Sequence, residues 1–462
     1  MLMVSGKKGN KRMTAFYDGL KNNKIYNNND LTNFFLSLEQ KYNVISNVET
    51  YNQLVNFSQN KDVPIHEWFK YREGFSGKLV DGLIRDAVLC ADDIVVDPFV
   101  GSGTTLVSSV AHGFDAIGID VNPMSTMLSK VKSTKYSDKD IEFVLSELNK
   151  LMTQKENIKT TGDEDIAKYF PSNNYTDLKK IYKFLCGVKD QKIYEILFCA
   201  YLSIIEPCSN RKRDGNGLKT VASKVTCVFE CFSDKVHQIL NDISDVSANF
   251  NAKSYVFTGC ANNIYDYCQR IQHQTNKAIG CIIFSPPYAN SFDYFESYKL
   301  ELFLGGFIDE NKGINTYRST AIRSFIGGAK EQHPDKYVEL LAQEIADSIP
   351  VKEAATKKKD ARTRKVPQMI MGYFKDMADV FEGCYKSLRT NGRCYIVIDQ
   401  SSYLGKIVPS DLLFAYFAEK HGFVVDKIIE CRTAKTSGQQ TRQFPYLKTM
   451  LRESIVVLIK PN

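Results

Sequence analysis

Apolar residues along this chain recur with two periods, one helical and one stranded. In "HEWFKYREGFSGKLVDGLIRDAVL", Leu79, Leu83, Ile84 and Val88 fall on one face of a helix. In "DIVVDPFVGSGTTLVSSVAHGFDAIGIDVNPMS" the pattern predicts a short buried strand over 94–96, then a glycine-rich turn over 97–103. A helix over 104–112, stopped by Gly113, and a second strand over 116–119 ending in Asp120 complete a β-α-β unit. A further apolar strand, 281–284, runs into Ser285-Pro286-Pro287-Tyr288 and a string of aromatics. "ESYKLELFL" reads as a helix packed on that strand. "FKDMADVFEGCYKSLRTNGRCYIVID" puts Phe374, Met377, Phe381, Cys384, Tyr385 and Leu388 on one helical face, stops at Asn391-Gly392 and enters a strand over 393–398; "ESIVVLIK" reads as a last strand. This order predicts an α/β fold: a mostly parallel, Rossmann-like, seven-stranded sheet with helices on both faces.

Two stretches do not fit that sheet. Residues 136–250 read as a mostly helical insertion, and residues 305–370 hold "YRSTAIRSFIGG" and a dense basic run. Residues 1–60 are polar and Asn-rich, with one apolar patch, "LTNFFLSLEQ", that predicts a helix in a small N-terminal appendage.

Composition narrows the setting. At 462 residues and 43% hydrophobic the chain is long enough for a large core, and about 150 residues per domain gives two or three units. No stretch approaches the roughly 18 apolar residues of a membrane span. The basic start (Lys7, Lys8, Lys11, Arg12) leads into Asn-rich sequence instead of a signal core, so a cytoplasmic protein with no membrane partner is expected. The twelve cysteines are scattered, Cys227 and Cys231 lack CxxC spacing, and the six histidines form no i, i+4 pair; reduced cysteines and no metal site are expected. The net charge of +7 is concentrated in "TKKKDARTRK" (356–365) and "NRKRDG" (210–215), which suits nucleic acid or a solvated charged face.

The β-α-β unit has a chemistry of its own. Gly101 and Gly103 let the backbone approach a ligand, the following helix aims its amides at the same spot, and Asp120 is placed to take a ribose diol. "GSGTTL" lacks the third glycine of the dinucleotide fingerprint, so the unit reads as a site for a nucleoside cofactor of another kind.

"DPFVGSGTT" resembles the cofactor loop of the S-adenosylmethionine-dependent methyltransferases that act on exocyclic amino groups of DNA bases, and "SPPY" resembles their catalytic motif. "HEWFKYREGFSGKLV" resembles the upstream segment that contacts methionine in some members; with it, the similarity covers roughly half the chain. The resemblance implies S-adenosylmethionine as cofactor. It implies that Asp97, Phe99, Gly101 and Gly103 line its methionine end, within a loop that includes Pro98, Ser102 and Thr104, and that Asp120 holds the ribose. Phe75 and Ser76 match the upstream segment more loosely. Where the family offers an acid to the adenine amino group, "YVFTGCANNI" has Cys260, with Asn262 or Asn263 as substitutes. The implied organisation is an N-terminal appendage (1–60), a catalytic domain in three pieces (61–135, 251–304, 371–462), the helical insertion (136–250) and a target-recognition region (305–370), with "NRKRDGNGLK" as the alternative DNA reader.

The motif itself answers a chemical need. The lone pair of an exocyclic amino group is delocalised into the base, and acceptors that take its two hydrogens pull it back onto nitrogen. Pro286 and Pro287 fix the backbone that carries the acceptors, and Tyr288 offers a flat face to a base rotated out of the duplex. A Pro-Pro turn with no further role is the alternative. Within the family, Ser at the first motif position is commoner in cytosine-N4 enzymes and Asp or Asn in adenine enzymes, so Ser285 favours N4-methylcytosine. Methylation at ring carbon would need a Pro-Cys nucleophile, and Pro207-Cys208 has no cofactor signature beside it. The expected substrate is double-stranded DNA, and the resemblance implies a companion restriction endonuclease. Adenine-N6 methylation is the alternative, followed by an RNA methyltransferase, a protein methyltransferase or a catalytically inactive nucleic-acid-binding protein.

Overall fold

The computed structural model describes residues 14–72, 74–160, 165–215, 217–246, 250–309, 311–327, 335–434 and 436–462. Lys7, Lys8, Lys11 and Arg12 lie outside the described residues.

Eight strands form the central sheet: β1 (Val44–Ser46), β2 (Asp93–Asp97), β3 (Asp115–Asp120), β4 (Ser254–Thr258), β5 (Ala278–Phe284), β6 (Leu388–Asp399), β7 (Val424–Thr433) and β8 (Arg452–Ile459). Their spatial order is β1-β7-β8-β6-β5-β2-β3-β4. Only β8 runs against its neighbours; every other pairing is parallel. Along β2 and β5 successive residues enter different cores: Ile94, Val96, Ile282 and Phe284 go to one, Val95, Cys281 and Ile283 to another. Both faces are covered, which is why these strands read as unbroken apolar runs.

The expected α/β sheet is therefore present, with one strand more than seven. The extra strand is β1, paired with β7 and contributed by the region expected to be an appendage. That region is built into the core. Phe16, Leu20, Leu31, Phe35 and Leu38, from helices Ala15–Asn22 and Asn29–Lys41, are buried with residues of the C-terminal half. Tyr26 donates to the Ile407 carbonyl at 2.6 Å.

Two boundaries differ from expectation. Helix Gly77–Asp86 buries Leu79, Val80, Leu83 and Ile84 but ends before Val88, which takes φ 52° and is 77% exposed. Helix Val366–Ser387 gives way to β6 at Leu388, ahead of Asn391-Gly392, because β6 starts on the β5 pairing at Ile279–Leu388 and resumes it after an irregularity.

The 136–250 insertion holds helices Asp138–Gln154, Ser172–Leu185, Gln191–Cys208 and Val228–Val246, whose core is shared with Trp68, Val110, Leu128 and Tyr298 of the flanking segments, plus a two-stranded ribbon, Arg211–Asp214 with Gly217–Thr220. Helices Asn311–Thr320 and Lys336–Thr356 occupy the 305–370 region. Two residues of its basic run pair with the preceding helix, Asp360 with Lys352 and Arg364 with Glu353, while Lys357, Lys358 and Lys359 are exposed. Among the described residues no helix is long and apolar enough to cross a membrane.

Candidate active site

Because β2 and β5 are parallel neighbours, the glycine loop after β2 and the Ser-Pro-Pro-Tyr segment after β5 emerge side by side. Ligands in open α/β sheets bind at such carboxyl ends. Here both loops line one cleft.

The loop is held by two carboxylates. Asp97 accepts from the amide of Phe99 at 2.9 Å and from Oγ1 of Thr105 at 2.6 Å. Asp120, closing β3, accepts from the amide of Gly101 at 3.0 Å and from that of Asn122 at 2.8 Å. Gly103 has φ 85°, and a Cβ there would lie 2.7 Å from the Cα of Ser129, so the helix start and its neighbour require glycine. Burial pushes the Asp97 carboxyl up to about 7 and that of Asp120 up to about 6, against the pull of their hydrogen bonds.

Of the expected site residues, Phe75, Asp97, Pro98, Phe99, Gly101, Ser102, Thr104, Asp120, Cys260, Ser285 and Pro287 line the cleft. Four do not. Ser76 caps helix Gly77–Asp86, accepting from the Leu79 amide at 3.2 Å and donating to the Leu54 carbonyl at 2.8 Å. Gly103 packs on Ser129 and Pro286 is buried. Tyr288 turns its hydroxyl away, 3.3 Å from Oγ of Ser285 and 3.3 Å from Oε1 of Glu453, which is itself ion-paired with Arg432. Burial, and then the Glu453 charge, hold the Tyr288 phenol well above its usual pKa.

Sequence reasoning missed other walls of the cleft. Tyr71 lies across Gly101, a Cβ on which would be 3.1 Å from its ring, and its hydroxyl meets Oγ of Ser125 at 3.1 Å. Asn122 also lines the cleft and caps helix Pro123–Lys132; its place two residues beyond Asp120 was the available signal. Phe292, Asp293, Tyr294 and Phe295 follow the motif directly, with Asp293 ion-paired to Arg318. Ile322, Ser324 and Phe325 come from the "YRSTAIRSFIGG" stretch of the 305–370 region, whose place in the cleft no local periodicity signals.

Among the described residues the lining contains aromatic rings and carboxylates but no Lys, Arg or His. Such a donor set suits a cationic, partly aromatic molecule, so the residues present fit the sulfonium and ammonium charges, ribose and adenine of S-adenosylmethionine. Beside Cys260, whose thiol pKa is raised by burial, Oδ1 of Asn262 is buried with no partner among the described residues.

Known proteins resemble the chain in the same terms. A family model described as DNA methylase, of the N6/N4 methyltransferase group, matches residues 2–131. The type II methyltransferase M.BsoBI of Geobacillus stearothermophilus is 27% identical, with 92% of each chain covered. M.AvaI of Nostoc sp. is 28% identical over 88% of this chain and 89% of that one. M.MvaI of Kocuria varians is 46% identical over 52 residues, 11% of this chain and 12% of its own. The chain that brings a glycine loop and a Ser-Pro-Pro-Tyr segment to one cleft is thus similar over most of its length to type II methyltransferases and, over residues 2–131, to the N6/N4 DNA methylase family.

Proposed function

We propose that the protein transfers a methyl group from S-adenosylmethionine to the exocyclic N4 of a cytosine rotated out of double-stranded DNA, as the site-specific methyltransferase of a type II restriction-modification system. The observation that carries this reading is the shared cleft: Ser285 and Pro287 open onto the same space as Asp97, Gly101 and Asp120. The cofactor supplies an electrophilic methyl group. Asp120 takes the ribose, Asp97 and the Phe99 loop hold the methionine end, and Phe75 closes over it. Cys260 and Asn262 stand where the adenine amino group would be met.

Ser285 Oγ and the Pro286 carbonyl accept the two amino hydrogens of the target base, which localises the nitrogen lone pair for attack. Backbone rigidity at Pro286 and Pro287 keeps these acceptors in place. The aromatic residues after the motif, Phe292, Tyr294 and Phe295, supply stacking surface for an extruded base. Residues 305–370 are the target-recognition region in this reading, because Ile322, Ser324 and Phe325 reach the cleft while Lys357 to Lys359 remain free to meet phosphates. Pieces 61–135, 251–304 and 371–462 make the catalytic domain.

Unmethylated bacterial DNA incubated with the protein and isotopically labelled S-adenosylmethionine, then digested to nucleosides for mass spectrometry, tests the reading. Label in N4-methylcytosine is expected. Label in N6-methyladenine would retain the mechanism and overturn the choice of base, and no label in DNA would overturn the reading.

A further inference from the structure

The basic "NRKRDG" stretch is absorbed by none of the chemistry above. It forms the first strand of the Arg211–Asp214/Gly217–Thr220 ribbon. Alternation along that strand sends Arg213 inward and Lys212 outward. Arg213 is 5% exposed and ion-paired to both Glu206 and Glu301, the latter 1% exposed. Its Nε donates to the Ser297 carbonyl at 3.0 Å, and its guanidinium stacks 4.7 Å from the ring centre of Tyr298. Ser297 belongs to the short helix Tyr294–Ser297, whose first two residues line the cleft. From the other side, the Arg72 guanidinium donates to the Arg213 carbonyl, and the Arg72 amide donates to the Tyr298 hydroxyl oxygen at 2.8 Å. Tyr71, next in the chain, lines the cleft. The ribbon is thus braced directly on two walls of the site, by a desolvated ion network that is costly to assemble.

Its outer face is arranged against its own stability. Lys212 and Lys219 are direct cross-strand partners, both exposed, and like charges at such positions repel. Asp214 approaches Lys219 at 3.1 Å, leaving Lys212 uncompensated. A groove beside the ribbon is lined by Lys70, Lys212 and Lys224; among the described residues its only acids are Glu206 and Glu301, both committed to Arg213. A solvated hairpin needs neither the buried anchor nor the facing lysines, whereas a polyanion relieves the repulsion.

We propose that this ribbon and its lysine-lined groove form a second contact with duplex DNA, placing Lys70, Lys212, Lys219 and Lys224 at phosphate oxygens beside the base that enters the cleft. The proposal rests on the DNA-methylating function above. The ribbon holds the duplex at the rim from the helical insertion, while the 305–370 region reaches the cleft itself. A two-stranded ribbon also has the dimensions of a major-groove probe, so its lysines fix the register in which the duplex presents its target.

The test compares wild type with Lys212→Ala/Lys219→Ala and, separately, Lys70→Ala/Lys224→Ala. Duplex affinity is read by fluorescence anisotropy across a salt series, and methyl transfer by KM for DNA. Each phosphate contact contributes about −0.9 to the slope of log affinity against log salt, so each double variant should flatten the slope by roughly two and raise KM for DNA on the order of tenfold. Affinity for S-adenosylmethionine by calorimetry, together with the thermal melt, serves as the folding control. Unchanged duplex affinity and salt slope in both variants, in an enzyme that methylates DNA, overturns the ribbon contact alone. A wild type that binds duplex through these lysines yet transfers no methyl group overturns the functional reading and supports the contact.

Discussion

The hydroxyl of Tyr288 bridges Ser285 and Glu453, 3.3 Å from each, so the last residue of the Ser-Pro-Pro-Tyr segment is tied to β8 and not to the cleft. Glu453 is 2% exposed and paired with Arg432 on β7. The phenol therefore acts on Ser285 from behind, as a positioning group. Tyr288→Phe keeps the ring and loses both hydrogen bonds; methyl transfer is expected to fall about tenfold in kcat with little change in cofactor affinity. Tyr288→Ala also removes packing beneath the motif and should cost on the order of 100-fold, the scale of a misplaced reacting group. Steady-state kinetics on both variants checks this, and equal rates for Tyr288→Phe and wild type would remove the hydroxyl from the argument.

Asp120 joins the loop to whatever the loop binds. Its two carboxylate oxygens hold the amides of Gly101 and Asn122, so Asp120→Ala loses the loop's conformation together with the ribose contact proposed above. Affinity for S-adenosylmethionine should weaken by 10-fold or more, roughly 1.4 kcal/mol per decade, with kcat at saturating cofactor much less affected. Isothermal titration reads the first quantity and saturation kinetics the second.

The pH dependence follows from the same pair of acids. Burial holds Asp97 up to about 7 and Asp120 up to about 6, both above the ordinary 3.8. In the ligand-free protein their contribution to stability is full below about 3.8 and is lost as pH rises through 6 and 7, because the unfolded chain ionises more readily. Cofactor binding runs the other way: a cationic ligand selects the ionised carboxylates, so affinity should climb between about pH 5.5 and 7.5. Calorimetric titration at several pH values tests this, and Asp120→Asn should flatten the lower part of the rise.

At Gly103 the requirement is steric. Alanine there meets φ 85° and the backbone of Ser129 at 2.7 Å, so Gly103→Ala should destabilise the protein by about 1–3 kcal/mol through backbone strain alone, with cofactor affinity reduced as the loop shifts. Urea unfolding with and without S-adenosylmethionine separates the two effects.

These sites were legible to different degrees for physical reasons. The β2–loop–β3 unit and the strand before Ser285 could be read because their signals are local: apolar runs buried on both faces and glycines where the backbone turns. The aromatic string at Phe292 to Phe295 was visible, but its placement in the cleft was not. Ile322, Ser324 and Phe325 reach the site only through the packing of a distant segment, which leaves no periodic trace. Strand β7 was hidden because polar Asp426, Lys427, Glu430 and Arg432 interrupt its apolar pattern, and Arg432 is there to pair with Glu453. β1 is three residues long and owes its conformation to the β7 edge it joins.

The N-terminal region shows most clearly how a polar composition conceals a structural role. Glu39 is 4% exposed and ion-paired at 2.5 Å with Arg452, whose Nε also donates to Asp411 at 2.7 Å. Arg452 opens β8, and Asp411 lies in the first turn of the helix Ser410–Lys420, so one buried guanidinium ties helix Asn29–Lys41 to the last strand. Replacing Glu39 with alanine leaves Asp411 as the sole carboxylate on a desolvated arginine, and breaking a buried pair in this way costs about 3–5 kcal/mol. Glu39→Gln keeps a hydrogen-bond acceptor and should recover part of that loss. If the region were an appendage, Glu39→Ala would unfold in urea at the wild-type midpoint; a shift of the whole cooperative transition to lower denaturant is the expected result, because the sheet that carries Glu453, and through it Tyr288 and Ser285, is the structure that Arg452 holds.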